Sequence, residues 1–378
     1  MKISGVRRII CLLALTALLL SLAACQPGGV TVSTLAGSGA VGGLGGGYRD
    51  GPARQALFRR PQALALDAAG NLYVSDADNQ RLRLISRAGQ VTTLAGSGPT
   101  GSDAGGYADG PANTALFDEP NGLYVGPVGV IFLADSDNHC LRKITPQGLG
   151  ATVAGQCGSG TLLGSYSDGP AASARFSRPM DVVVDLAGNV YVADYFNHAV
   201  RKVTAAGSVT TLAGNGFGHY ADGVGSQAGL FYPNRLTLDR AGNLYLTEGH
   251  SGDVGDPPTG NRVRRITADG TVTTIAGSGA PGYADGPALQ AEFHAPSGVA
   301  VDTAGNIYVA DRLNHCIRLI SGGVVRTLAG TPGVAGYADG PAGKAKFSYP
   351  SDVVLDEARH VLYVADANNH RIRQVSLP

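Results

Sequence analysis

The chain has 378 residues, of which 44% are hydrophobic and 56 are glycine, and its 29 basic and 29 acidic residues give a formal net charge of zero. A balanced charge argues against a nucleic-acid or polyanion partner, because such a partner requires a basic surface. The glycines recur at fixed positions of a repeat, so they indicate turns rather than a disordered chain.

Residues 1–24 have the three parts of a secretory signal: a short basic segment, an apolar run from Ile9 to Leu22, and small residues at the end. The ending, Leu-Ala-Ala followed by Cys25, resembles the bacterial lipobox. That resemblance implies cleavage before Cys25, lipidation of its thiol and a lipidated tether over residues 25–29. An ordinary secretory signal with an incidental cysteine is the alternative.

The lipobox resemblance also implies a location in the bacterial cell envelope. Gln26 follows Cys25, which by the sorting rule of enteric bacteria favours the outer membrane, facing the periplasm or the cell surface. The apolar run is too short to favour a permanent membrane span, so we expect membrane contact through the N-terminal lipid only.

Three cysteines remain beyond the signal, Cys140, Cys157 and Cys316. An envelope location permits disulfides. The repeat places Cys140 and Cys157 on neighbouring strands of one unit, so a bridge between them is possible, although the sequence does not decide it. Cys316 occupies the same position in its unit as Cys140, and we expect it to be a buried, unreactive thiol.

A Tyr-x-Asp-Gly phrase returns six times, at intervals of 54 to 63 residues. The six copies begin at Tyr48, Tyr107, Tyr166, Tyr220, Tyr283 and Tyr337. A period of this size indicates an array of like structural units. The phrase itself is interpreted as the turn-rich connection between units.

Each unit holds four apolar runs of four to seven residues, bounded by Gly, Asn, Asp or Pro, as is typical of strands and tight turns. The second run closes on an acidic residue: Asp76, Asp135, Asp194, Glu248, Asp311 or Asp366. The third run carries an arginine: Arg83, Arg142, Arg201, Arg264, Arg318 or Arg373. We expect each arginine to pair with the acid of its own unit. One four-stranded sheet cannot bury both faces, so the six sheets must stack around an axis as a β-propeller.

An Asn-His pair precedes the third run in four of the units: Asn138-His139, Asn197-His198, Asn314-His315 and Asn369-His370. This phrase resembles the NHL-repeat family over residues 30–378. The resemblance implies an all-β, six-bladed propeller of four-stranded antiparallel blades. It says little about function, since the family serves as scaffold, ligand binder and occasionally enzyme. The histidines lie one per blade, too far apart to share a zinc ion unless they point at the axis.

The sixth unit lacks its fourth strand, whereas the mature chain begins with one such strand, from Val32 to Gly37, that has no unit before it. The two fragments make one complete blade. We therefore expect the N-terminal strand to close the sixth blade and remove the exposed edges of an open array.

The departures from the repeat identify candidate ligand-binding residues. In a propeller the first residues of the innermost strands surround the mouth of the channel, and the loop between the second and third strands opens on the same face. Blade four has a longer loop there and replaces the usual strand-closing Asp by Glu. The candidates are Asn121, Asp181, Asn234, Arg235, Glu248, His250 and Asp352. No metal ligand set, cofactor or catalytic residue is predicted.

Three functions are compatible with this pattern. The near-symmetric repeat, the anchor and the lack of a catalytic constellation favour a non-enzymatic binding or scaffold module for a protein, peptide or glycan. The alternative is an enzyme with a metal site at the channel mouth, because related six-bladed folds include lyases and gluconolactonase-like hydrolases. Its candidate residues would be Asp181, Arg235, Glu248, His250 and Asp352. A third possibility is a structural subunit of an envelope assembly.

Overall fold

The computed structural model describes residues 29–42, 45–101, 104–158, 164–249 and 260–378. The predicted signal and Cys25 lie outside these ranges, as does His250. Within them the chain forms six antiparallel sheets, arranged as the six blades of a propeller. No helix in these ranges has the length and apolar character that crossing a membrane requires.

Each blade contains four long strands, named here inner, second, third and outer by their order from the axis. The inner strands of blades 1 to 6 are Pro61–Leu66, Pro120–Val125, Pro179–Val184, Pro233–Leu238, Pro296–Val301 and Pro350–Asp356. The second strands are Leu72–Asp76, Ile131–Asp135, Val190–Asp194, Leu244–Glu248, Ile307–Asp311 and Val361–Asp366. The third strands are Arg81–Ile85, Cys140–Ile144, Ala199–Val203, Arg262–Ile266, Cys316–Ser321 and Arg371–Ser376. The outer strands are Gln90–Ala95, Leu149–Ala154, Ser208–Gly214, Thr271–Ala276, Val324–Ala329 and Thr31–Ala36.

A fifth, two-residue strand pairs with the outer strand of every blade, so the predicted count of four strands is one too few. These short strands are Gly51–Pro52, Gly110–Pro111, Gly169–Pro170, Gly223–Val224, Gly286–Pro287 and Gly340–Pro341. Each one directly follows a Tyr-x-Asp phrase. The phrase therefore lies at the outer edge of a blade.

Short 3₁₀ turns complete the secondary structure of the described residues. They span Ala77–Asn79, Tyr195–Asn197, Gly225–Gln227, Arg312–Asn314, Ala342–Lys344, Glu357–Arg359 and Ala367–Asn369.

The hydrophobic core lies between neighbouring blades. For example, Ala63 and Leu82 of blade 1 belong to one buried cluster with Phe117 and Leu133 of blade 2. Alternation along each strand sends side chains to both faces of the sheet, and each face is covered by the next blade. Blade 4 keeps this packing with Leu230 in place of the buried phenylalanine of the other blades.

The N-terminal strand closes the ring, as predicted. Thr31–Ala36 pairs antiparallel with the third strand of blade 6, where Val32 lies opposite Val375. The same strand pairs on its other side with Gly340–Pro341. Blade 6 is thus assembled from both ends of the propeller.

The six strand-closing acids pair with the arginines of the third strands, also as predicted. The pairs are Arg83–Asp76, Arg142–Asp135, Arg201–Asp194, Arg264–Glu248, Arg318–Asp311 and Arg373–Asp366, at 2.5 to 2.9 Å. Both side chains of every pair are fully buried. Burial raises the pKa of Asp76 to about 6, an effect that the charge of Arg83 opposes.

Each buried arginine also binds the aspartate of a Tyr-x-Asp-Gly phrase, which gives that phrase more than a turn-forming role. These partners are Asp50, Asp109, Asp168, Asp222, Asp285 and Asp339, at 2.5 to 2.9 Å. In blade 1 the Arg83 guanidinium lies 4.8 Å from the ring centre of Tyr48 and 5.1 Å from that of Phe58. Two carboxylates and two rings therefore surround one cation.

A second ring of contacts joins each blade to the next. The side chain that precedes the third strand accepts a hydrogen bond from the backbone N–H just before the next blade's inner strand. The bonds run to His370 from Arg60 (3.0 Å), Gln80 from Glu119 (2.8 Å), His139 from Arg178 (3.0 Å), His198 from Tyr232 (3.1 Å), Asn261 from Ala295 (2.8 Å) and His315 from Tyr349 (3.2 Å). The histidines of the NHL phrase thus connect blades and do not converge on the axis.

The inter-blade bond requires a neutral imidazole, because Nδ1 must be an acceptor. In His370 the other ring nitrogen, Nε2, lies 2.7 Å from the Gly42 carbonyl oxygen and donates to it. Burial lowers the pKa of His370 and of His315, which favours the neutral form. Blade 4, whose sequence lacks the Asn-His pair, makes the same bond with Asn261.

Cys140 and Cys157 are joined by a disulfide, with their Cα atoms 5.2 Å apart. Cys157 lies three residues beyond the outer strand Leu149–Ala154 and not on it, so the bridge joins a strand to the connection that follows. Cys316 is a free, buried cysteine, and burial raises the pKa of its thiol well above the ordinary value.

Removal of residues 30–37 should abolish folding, because the third strand of blade 6 would then expose an unpaired edge. A chain beginning at Ser38 is expected to aggregate or to lose its cooperative melting transition, as measured by size-exclusion chromatography and circular dichroism. A chain beginning at Gly29 is the control and should melt like the mature protein. Equal melting of the two chains would disprove closure by the N-terminal strand.

Replacement of a buried arginine should be strongly destabilising, because it leaves a fully buried carboxylate without its counter-ion. Arg83→Leu is expected to lower the free energy of unfolding by about 3–5 kcal/mol. The control is Arg54→Leu in the same blade, an exposed position that should change stability by less than about 0.5 kcal/mol. Urea denaturation of both variants measures the difference, and similar losses would contradict a special role for the buried pair.

Candidate functional site

A cavity of about 290 Å³ opens at the face of the ring where the inner strands begin. Its walls come from the start of the inner strands, the residue before each of them, and the loops between second and third strands. The lining residues include Arg60, Gln62, Glu119, Asn121, Arg178, Met180, Tyr195, Phe196, Asn234, Arg235, Ser297 and Arg312. These side chains differ from blade to blade, in contrast to the repeated contacts of the outer ring.

Arg235 of blade 4 forms the floor of this cavity. Its guanidinium donates to the Met180 carbonyl oxygen at 2.7 Å, to the Gln62 carbonyl oxygen at 2.8 Å and to Oδ1 of Asn121 at 2.8 Å. Because Gln62 belongs to blade 1, opposite blade 4, the side chain crosses the axis of the ring. Arg235 is only 2% exposed and closes the channel.

Asp181 and Asp352 lie on the other side of this floor. They line a second cavity of about 240 Å³ formed by the later residues of the inner strands. Each carboxylate accepts a backbone N–H from the next blade, Asp181 from Leu236 at 2.8 Å and Asp352 from Leu64 at 2.8 Å. Among the predicted candidates these two therefore serve inter-blade bonding and lie outside the mouth cavity.

Burial raises the pKa of Asp181 to about 7 and that of Asp352 to about 6, while the charge of Arg235 acts in the opposite direction on both. The Nε atom of Arg235 lies 3.9 Å from Oδ1 of Asp352. Arg235 therefore lies between a polar mouth cavity and a pair of buried carboxylates.

Glu248 does not reach the mouth cavity, contrary to its selection as a candidate ligand-binding residue. It is fully buried, paired with Arg264 at 2.9 Å, and accepts the backbone N–H of Phe231 at 3.0 Å. Glutamate thus replaces aspartate at this position without changing its structural role. His250, the other candidate from the blade 4 loop, lies outside the described residues.

Asn121 and Asn234 do line the mouth cavity. Asn121 is committed to Arg235 through its Oδ1 atom. Asn234 is 9% exposed, and its buried Oδ1 atom has no hydrogen-bond partner within the described ranges. Asn234 therefore presents an unused acceptor at the cavity wall.

The rim of the cavity carries a network of ion pairs. Arg60 lies 3.0 Å from Asp78 and 4.0 Å from Glu119, and Arg178 binds both Glu119 and, at 3.2 Å, Asp137. These charges are partly exposed, so each pair contributes little to folding stability. They give the mouth a fixed pattern of alternating charge.

One wall of the cavity is aromatic. The ring centre of Tyr195 lies 5.1 Å from that of Phe196 and 4.8 Å from that of Tyr232. Phe196 is 37% exposed at the rim. Such a wall suits the apolar face of a sugar or an aromatic or aliphatic side chain.

Two groups of site residues were missed by the sequence interpretation, which considered only the inner strands and the blade 4 loop. One group immediately precedes the inner strands and includes Arg60, Glu119 and Arg178. The other immediately follows the strand-closing acid and includes Tyr195 and Arg312. The signal was present in the alignment, since the latter position reads Ala77, Ser136, Tyr195, Gly249, Arg312 and Ala367 in the six blades.

The carboxylates and histidines of the described residues do not form a cluster of three or more that could hold a metal ion. The predicted enzyme alternative needed Asp181, Glu248 and Asp352 to converge with His250. Asp181 and Asp352 lie below Arg235, and Glu248 is enclosed within its blade.

The model of the NHL repeat matches residues 117–144, 293–318 and 347–375, which fall in blades 2, 5 and 6. The protein is built from NHL repeats. Curated proteins with similar sequences include SUPPRESSOR OF QUENCHING 1 of Arabidopsis thaliana, 29% identical over 72% of this chain and 26% of that protein. NHL repeat-containing protein 2 of Bos taurus is 26% identical over 87% of this chain and 48% of that protein. This NHL-repeat chain thus spans half or less of these relatives.

Solved structures share the propeller fold at lower identity. An auxiliary nutrient binding protein from Bacteroides thetaiotaomicron superposes with a TM-score of 0.67 at 18% identity, over 92% of this chain and 76% of that one. A gluconolactonase from Xanthomonas campestris superposes with a TM-score of 0.54 at 15% identity, over 93% and 90% of the two chains. The NHL propeller fold therefore accommodates both binding and catalysis, and the site residues must decide between them.

Replacement of Arg235 should destabilise the ring in a pH-dependent manner. We expect Arg235→Met to lower the free energy of unfolding by about 3–5 kcal/mol at pH 8, where Asp181 and Asp352 lose their neutralising charge. The loss should be smaller at pH 5, because burial raises both carboxyl pKa values and the folded protein then holds these groups protonated.

Urea denaturation at the two pH values measures this difference. Arg240→Met is the control, since the Arg240 side chain is 85% exposed. Adding Asp181→Asn and Asp352→Asn to Arg235→Met should remove the extra loss at pH 8. An equal loss at both pH values would contradict the electrostatic role of Arg235.

Proposed function

We propose that the mature protein is a non-enzymatic binding module, anchored in the bacterial envelope by a lipid on Cys25, that holds a protein, peptide or glycan ligand in the mouth cavity. The observation that carries this proposal is the contrast within the ring. The outer contacts repeat in all six blades, whereas the mouth combines side chains that occur once each around a floor closed by Arg235. A closed, polar and asymmetric recess is the usual form of a ligand site.

The chemistry of the mouth also favours binding over catalysis. Glu119, the carboxylate of its lining, forms ion pairs with Arg60 and Arg178. Asp181 and Asp352 bind backbone N–H groups below the floor. Within the described ranges, no carboxylate is left at the mouth to act as a general base or to bind a metal ion with a histidine.

The envelope location rests on the lipobox resemblance around Cys25 and on the secretory signal before it. It agrees with the disulfide between Cys140 and Cys157, because such bonds persist mainly in oxidising compartments. A nutrient-binding protein of Bacteroides thetaiotaomicron shares the fold, which shows that bacterial propellers of this architecture include binding proteins.

Site-specific photocrosslinking tests the location of the ligand. A benzoylphenylalanine at position 196 keeps an aromatic ring at the cavity rim, and one at position 186 is the control. Leu186 lies in the turn between the inner and second strands of the same blade, on the opposite face, and is fully exposed.

With the lipidated protein in intact envelopes, we expect a crosslinked product at position 196 and none at position 186. Digestion with a protease or with glycosidases then distinguishes a protein or peptide ligand from a glycan. Equal products at both positions, or none at position 196, would disprove ligand binding at the mouth.

A further inference from the structure

The mouth cavity contains a cation without a counter-ion. We propose that Arg312, together with Asn234, forms a carboxylate-binding site within the mouth cavity, so that the ligand is an organic acid group carried by a peptide or by a sugar. This inference rests on the proposed function and specifies the chemistry of its ligand.

The other arginines of the cavity have partners that account for their position. Arg60 pairs with Asp78 at 3.0 Å, and Arg178 with Asp137 at 3.2 Å and with Glu119. Arg235 makes three hydrogen bonds across the axis. None of these guanidinium groups needs a ligand to neutralise or to satisfy it.

Arg312 differs from them. Within the described residues, no carboxylate oxygen lies within 4 Å of its guanidinium, and its side chain makes no hydrogen bond. Its contact with a ring is to Tyr349, at 5.5 Å from the ring centre. Burial lowers the pKa of Arg312, and the positive charges of Arg60 and Arg235 add to this effect. An arginine held among other cations favours an anion in the space that it lines.

The position of Arg312 also favours ligand contact over a structural role. It is the first residue of the turn Arg312–Asn314, where the other described turns and loops carry Ala, Ser, Tyr or Gly. The turn therefore does not require arginine. A planar guanidinium can bind a carboxylate through two parallel hydrogen bonds, which suits recognition of that group.

Asn234 supplies a second, independent indication. Its buried Oδ1 atom lines the same cavity without a partner in the part of the chain that the structure describes. Buried polar atoms are normally hydrogen-bonded, so this atom calls for a donor. An acid group that carries a neighbouring hydroxyl or amide N–H would satisfy Arg312 and Asn234 together.

Two sources share this chemistry. An acidic peptide offers a carboxylate with amide donors, and a uronic-acid oligosaccharide offers a carboxylate with hydroxyl donors. In either case an apolar face can pack on the wall formed by Tyr195, Phe196 and Tyr232. The shared requirement is the carboxylate, and the source is a question for experiment.

Two matched pairs of probes test the inference by calorimetry with the mature protein. One pair is the blocked peptide acetyl-Phe-Glu-amide and its Gln counterpart, and the other is trigalacturonate and neutral galactotriose. We expect the acidic member of one pair to bind at least tenfold more tightly than its neutral partner. The pair that shows this preference identifies the source.

Arg312→Gln keeps the side-chain stem and removes the charge. It should abolish the preference for the acidic probe, which corresponds to at least a tenfold loss of affinity, and leave the melting temperature unchanged. The control is Arg326→Gln, an exposed arginine on the outer strand of the same blade, which should keep the preference. Asn234→Ala should weaken the acidic probe while leaving the acid-over-neutral preference in place.

Three results would overturn the inference: no preference for either acid, a preference that survives Arg312→Gln, or a marked fall in the melting temperature of Arg312→Gln. The last result would indicate that Arg312 serves a buried counter-ion of the chain itself. If the photocrosslink at position 196 forms but neither acid binds, the carboxylate inference fails while ligand binding at the mouth stands. If that crosslink is also absent, both fail.

Discussion

The buried guanidinium of the third strand is the interaction on which the rest of the structure depends. In every blade it binds the acid that ends the second strand and the aspartate that precedes the short outermost strand. It thereby fixes the distance between the inner part of a blade and its outer edge. A buried ion pair is not in itself a large source of stability, but removing one partner is costly, so the pairing constrains the geometry of each blade. Blade 4 tolerates Glu248 at this point because the longer side chain still reaches Arg264.

The ring is completed by weaker contacts that act between blades. Histidine, glutamine and asparagine all accept the same backbone N–H, so the requirement is for an acceptor at this position and not for imidazole as such. Since these bonds occupy the recurrent histidines, the residues that give the repeat its name are structural here. Functional variation is left to positions that neither the buried ion pair nor the inter-blade bond uses, which are the positions that line the mouth.

The sequence predicted the number of blades, the closure by the N-terminal strand and the Arg–acid pairs, because each of these depends on features repeated six times. It did not predict the fifth strand, since Gly51–Pro52 and its equivalents are too short to show a strand pattern. The candidate site was predicted less well. Asn121 and Asn234 do line the cavity, but Glu248 is enclosed within its blade, and Arg60, Arg178 and Arg312 were missed. Inner-strand position alone could not show that Asp181 lies below Arg235, because that depends on which side chain crosses the axis.

Because Arg235 blocks the axis, the mouth cavity has a single opening, and a molecule held there must leave by the route through which it arrived. Exchange is then governed by the side chains around that opening, above all the charged residues Arg60, Glu119 and Arg178 and the exposed ring of Phe196. Substitutions at these positions would change how long a ligand remains bound more readily than they would change the stability of the ring. The protein can therefore adjust its residence time independently of its fold.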